Sequence, residues 1–196
     1  ASARPMTEEA PLCAEVSRAV GETLVGTASK DGLRFVLVES DDPWGRDAFE
    51  TSTLPEAAKD ALGLAAEKVP RTRVAFVRPP GRRAAEPRVY VTGGSLRGEK
   101  TLVLDLPSFA AIVDAPLVAM LRGEEPEGVR VLDVPLVLIC THGKRDRCCA
   151  KFGVALTAAL ESEPGILALQ SSHLGGHRFA AVAVPLPDGL TYGHLD

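Results

Sequence analysis

Residues 134–160 read VPLVLICTHGKRDRCCAKFGVALTAAL. Val134 to Cys140 is an apolar run of strand length, Thr141 to Cys149 a polar loop, and Phe152 to Leu160 a helix that offers Phe152, Ala155, Leu156, Ala159 and Leu160 to a core. Downstream, Ile166 to Leu169 and Phe179 to Pro185 have strand character, and Leu190 to Tyr192 forms a last short one. The order is strand, loop, helix, strand, strand.

Upstream the same order is legible. Arg34 to Glu39 is a strand with Phe35, Val36, Leu37 and Val38 buried, broken by Asp41-Asp42-Pro43-Trp44-Gly45. A helix over residues 54–67 follows, with Thr53 and Glu56 at capping-box spacing. Val74 to Val77 and Val89 to Thr92 are strands, and the Pro/Gly/Arg stretch between them is expected to be a long hairpin loop. Thr101 to Leu106 is a strand, Phe109 to Leu121 a helix ended by Gly123, and Arg122 to Arg130 a connection between halves. Two βαββ units offset by about 100 residues suggest a structural duplication. The expected class is α+β, with an N-terminal α/β unit over residues 1–130, a degenerate repeat of the second, and a C-terminal unit over 131–196.

The chain has 196 residues, 45% hydrophobic and 24% charged, enough to bury a core without disulfide staples. Its 22 basic and 26 acidic side chains give a net charge of −4, and no block of Lys or Arg offers nucleic acid or an anionic membrane a concentrated positive face. Of the basic patches, Arg71/Arg73/Arg78/Arg82/Arg83 reads as a solvated loop. The longest apolar stretch, Val134 to Cys140, is too short to span a bilayer, and no run near the N-terminus has signal-peptide length. The reading is a cytoplasmic protein that neither inserts in membranes nor binds nucleic acid.

The four cysteines stand at 13, 140, 148 and 149, and all four histidines, 142, 173, 177 and 194, lie in the last third of the chain. In a cytoplasmic chain such clustering points to metal or redox chemistry rather than staples. Cys140 to Cys149 encloses a cationic, glycine-containing loop between a strand end and a helix start, which favours a thiolate. In Ser171-Ser172-His173-Leu174-Gly175-Gly176-His177, two imidazoles converge if the glycines allow a turn. If the two strands preceding these segments are parallel, the sulfur pair and the nitrogen pair meet at one sheet edge. Cys13 reads as a small core residue, His194 as a satisfied or surface side chain, and His142 as a bond to loop backbone or a support for the site.

Several chemistries compete for this set. Cys140 and Arg145 are one residue too close for the phosphate-wrapping loop of a cysteine phosphatase, and no C-x-x-C occurs for thioredoxin-type exchange. Two Cys and two His suit zinc, though Cys140 to Cys149 is wider than finger spacing. A Rieske centre would need a second C-x-x-H, which is missing. A thiol-dependent oxidoreductase using Cys148 or Cys149, with the histidines as acid and base, also remains open.

CTHGKRDRCCAKFG, HLGGH and LPDGLTYGHL together resemble the sucrase/ferredoxin-like proteins, and Cys13 to Ser17, Gly26-Thr27-Ala28, Val36 to Glu39 and Pro43-Trp44-Gly45 are similar to the opening of bacterial members. The resemblance implies a thioredoxin-like ferredoxin domain at the C-terminus and a 2Fe-2S cluster with two cysteine and two histidine ligands in a non-Rieske arrangement. By position in the motifs, Cys140, Cys149, His173 and His177 match the ligands. Cys148 is the neighbour that would substitute, since adjacent side chains rarely point to one centre. The implied role is electron transfer or redox sensing with a redox protein or reductase as partner, an electron carrier rather than an enzyme with its own substrate. No carboxylate pair stands out to support a sucrase activity.

Overall fold

The computed structural model describes residues 10–28, 34–79, 87–93 and 100–195. Helix α1 (Cys13–Ala19) and the two-residue strand β1 (Thr27–Ala28) precede β2 (Arg34–Glu39), the apolar run read from the sequence. Helix α2 (Glu56–Lys68) leads to β3 (Thr72–Arg78), which pairs parallel to β2, and β4 (Arg88–Gly93) returns antiparallel on the other side of β2. The expected hairpin of the third and fourth strands is therefore corrected. Strand β2, with its apolar run Phe35 to Val38, takes the position between them, where both its edges are bonded and both its faces are covered. Part of the intervening loop, including Arg82 and Arg83, lies outside the described residues. Arg73 and Arg78, read as loop residues, are on β3.

Strands β5 (Lys100–Asp105) and β6 (Arg130–Val131) extend the sheet beyond β4. Between them, residues 109–121 form a 3₁₀ turn (Phe109–Asp114) and the short helix α3 (Leu117–Leu121) instead of one helix. The break falls at Pro116, which has no N–H to donate and restricts the residue before it. Nor does Thr53 cap α2. Pro55 takes the N-cap position, and the Thr53 hydroxyl donates to Asp42.

The second half repeats the pattern. Strand β7 (Leu136–Cys140) is followed by α4 (Arg147–Glu161), β8 (Leu167–Ser171) pairs parallel to β7, and β9 (Ala183–Leu186) pairs antiparallel to it. A 3₁₀ turn (His177–Phe179) precedes β9, and β10 (Leu190–Thr191) pairs with β1. Antiparallel pairing of β3 with β8 joins the halves into one eight-stranded sheet among the described residues, in the order β6-β5-β4-β2-β3-β8-β7-β9. The α+β class holds.

Alternation along β2 divides the core. Val36 and Val38 pack with Ala58, Leu62 and Ala65 of α2 and with Ile112 and Met120. Phe35 and Leu37 share a second cluster with Leu136, Leu138, Cys140, Cys149 and Leu169, so the two sulfurs sit in a core to which both halves contribute. Each fully buried Leu there stabilises by roughly 1.5–3 kcal/mol. On the other face of β7, Ile139 meets Leu156 of α4. No helix among the described residues is long and apolar enough to cross a membrane.

Candidate metal centre

Parallel pairing brings Cys140, the last residue of β7, opposite Ser171, the last of β8, so both chains leave the sheet at one edge. After β7, helix α4 begins sooner than its apolar periodicity suggests. The Asp146 side chain accepts from the Cys148 N–H at 2.8 Å and caps it, which moves Cys148 and Cys149 from the expected loop into the first helical turn. Gly153 lets this helix lie directly on the strand end, because a Cβ there would stand 2.0 Å from the Cys140 carbonyl oxygen. The segment after β8 turns back through Gly175 (φ +91°) and Gly176 (φ +64°), a left-handed path that glycine tolerates.

Three of the four candidate ligands converge. The donor atoms of Cys140, Cys149 and His173 lie within 4.8 Å of one another, and His173 Nδ1 is 3.8 Å from each sulfur. Both sulfurs are buried. The fourth, His177, stands apart from this trio. Its ring centroid is 6.3 Å from that of His173, and its Nδ1 faces Asp146 Oδ2 at 3.0 Å and Cys13 Sγ at 3.3 Å. Adjacent cysteines diverge as expected, with Cys149 facing Cys140 and Cys148 facing Cys13.

The buried pair shares its protons unequally. A hydrogen bond from Cys149, aided by His173 and by the Leu174 and His142 backbone, outweighs burial and holds the Cys140 thiol well below its ordinary range. The bond to Cys140, together with burial and the nearby Asp146 charge, pushes Cys149 up. Burial pushes Cys148 up to about 12. A buried sulfur stabilised as its anion by converging donors has the electronic character of a soft metal ligand.

His142 and residues of the first half hold the His173 backbone. His142 Nδ1 accepts from the His173 N–H at 3.0 Å while its Nε2–H donates to the Gly45 carbonyl at 2.6 Å, and Trp44 packs edge-on against its ring at 5.6 Å. Arg73 donates to the Leu174 carbonyl at 2.9 Å and to that of His173. Ser172 and Phe76 exchange two bonds, Ser172 N–H to the Phe76 carbonyl at 2.8 Å and Phe76 N–H to the Ser172 hydroxyl at 3.1 Å. These contacts span up to 101 residues of sequence and leave no local signal in it. A cleft of about 220 Å³ bordered by Arg46, Arg73 and Arg145 opens onto His173.

Of the remaining candidates, His194 Nε2 meets the Ser17 hydroxyl at 3.1 Å and its ring packs edge-on against Phe179. Cys13 is corrected. It is exposed, because α1 lays Ala14 and not its first residue into the core.

A sheet edge that gathers two thiols and an imidazole around one point defines a group able to hold a metal ion. The family model described as sucrase/ferredoxin-like matches residues 24–196, and the chain belongs to that family, whose name carries a ferredoxin-like, redox meaning. No curated protein and no solved structure matches the chain.

Proposed function

We propose that the protein is a one-electron carrier or redox sensor whose Cys140, Cys149, His173 and His177 hold a 2Fe-2S cluster with non-Rieske ligation. The convergence of Cys140, Cys149 and His173 from three separate elements carries the reading. The donor set fits the group, since two soft sulfurs and an imidazole meet there and His177 follows four residues later on the same turn. Such a cluster supplies reversible one-electron chemistry, at a higher potential than four thiolates would give.

The chain's own residues supply the rest. His142, locked between Gly45 and the His173 N–H, holds the backbone that carries the His173 ring. Lys144 and Arg145 add positive charge to the exposed loop, which stabilises the reduced, more negative state and offers an acidic redox partner a contact. His177 lies at the rim with its side chain 48% exposed, where a partner reaches the site. A cytoplasmic location and a thioredoxin-like character of the C-terminal unit are part of the proposal.

A zinc-stabilised domain is the second reading, favoured by the 3.8 Å separation of His173 Nδ1 from both sulfurs, a span that a single tetrahedral ion bridges. Iron, sulfide and zinc analysis of anaerobically purified protein separates the two. Equal iron and sulfide at two per chain, lost in Cys149→Ser and kept in Cys148→Ser, is the expected result. One zinc per chain, or no metal after anaerobic reconstitution with iron and sulfide, would overturn the cluster.

A further inference from the structure

A second pair of thiols stands at the start of α4, outside the Cys140, Cys149 and His173 trio, with Cys13 Sγ 3.3 Å from His177 Nδ1. Cys13 Sγ lies 3.2 Å from Cys148 Sγ, across 135 residues of sequence, and both thiols are free. Ala14 and Ala180 pack with Cys148, so the approach of α1 to α4 is held by buried apolar contact. A disulfide needs its sulfurs about 2.05 Å apart, which places the observed pair about 1 Å of side-chain movement from a bond. Beside the exposed Cys13 opens a cleft of about 470 Å³, bordered by Leu12, Lys144, Arg145, Arg147 and Cys148. Its basic side chains outnumber the single carboxylate of Asp146 on the same border.

We propose that Cys13 and Cys148 are a redox-active dithiol, oxidised to an intramolecular disulfide by low-molecular-weight disulfides that carry carboxylates and are received in the cationic cleft. Exposed Cys13 attacks one sulfur of the incoming disulfide, forming a mixed disulfide and releasing one thiol, which takes the Cys13 proton. Cys148 then attacks the Cys13 sulfur, the second small thiol leaves with the Cys148 proton, and the S–S bond closes. Two protein thiols are oxidised and one small disulfide is reduced to two thiols. Neither cysteine belongs to the proposed cluster ligands, and the link is read by peptide mass rather than by iron content.

The test uses full-length protein purified anaerobically and incubated with glutathione disulfide, then with cystamine, its cationic counterpart. Digestion without reductant should yield the Cys13 peptide joined to the one holding Cys148, with a mass lower by two hydrogens than the separate thiols. The link should form several-fold faster with glutathione disulfide. Cys148→Ser should leave Cys13 as a mixed disulfide with glutathione, and Cys13→Ser, at an exposed position, should abolish the link. Absence of the link in the wild-type chain, its persistence in Cys148→Ser through Cys149, or protection of both thiols by bound zinc would overturn the dithiol. Equal rates with the two reagents would overturn the anionic substrate class.

Discussion

In residues 34–93 and again in residues 136–186, a helix crosses from one strand to a parallel neighbour and a further strand returns antiparallel to the first. What stands at the strand ends differs. In the first half a long connection, residues 40–55, carries Trp44 and Phe49, and α2 starts behind Pro55 without a side-chain cap. In the second, residues 141–146 suffice, Asp146 caps α4, and Gly153 seats the helix on the Cys140 carbonyl. The shorter connection brings Cys149 into reach of Cys140. The first half contributes no donor to the trio, yet its Gly45, Arg73 and Phe76 hold the His142 and His173 segments in place. One topology thus supplies the ligands and its counterpart supplies their support.

The largest expected effect breaks the seating of α4. In Gly153→Ala the new Cβ meets backbone, which cannot swing aside, and the urea midpoint should fall by the equivalent of about 3 kcal/mol or more with loss of bound metal. A variant with wild-type stability and metal content would show that the close approach of helix and strand is dispensable.

Removing the support should cost less. Arg73→Ala strips two hydrogen bonds from the His173 and Leu174 carbonyls and should speed metal release to a chelator on the order of 10-fold, with the unfolding midpoint little changed. Unchanged release would confine the control of the site to the second half.

The smallest effect lies far from the site. Burial alone would raise the Asp105 carboxyl, but the hydrogen bond and charge of Arg88, joined by Arg130, outweigh it and hold it below the ordinary range. A folded-state value below the unfolded one means that the contribution is present above the unfolded carboxylate value of about 3.9 and is lost as pH falls through the folded value. The pair is partly exposed, so Asp105→Asn should cost about 0.5 kcal/mol at neutral pH in urea unfolding. The difference from wild type should shrink once the pH drops below about 4.

Much of this architecture is legible in local pattern. The run Phe35 to Val38 marks its own strand, and the scarcity of Cys and His elsewhere isolates the segments around Cys140 and His173. The helix start at Asp146 is masked by the polar residues before Phe152, and Pro116 overrides the apolar periodicity of residues 109–121. Long-range pairing is silent in sequence. Neither the insertion of β2 between β3 and β4, nor the grip of Arg73 on the His173 loop, nor the meeting of Cys13 with Cys148 has a local signature.

The central claim is that two histidines and two cysteines of one sheet edge hold a single redox-active cluster. Pulsed EPR of the reduced protein, prepared with ¹⁵N-labelled histidine, reads the nitrogen ligands directly. The account predicts couplings to two histidine nitrogens, falling to one in His177→Ala. A reduced protein with no nitrogen coupling, or with no paramagnetic signal at full iron content, would contradict it.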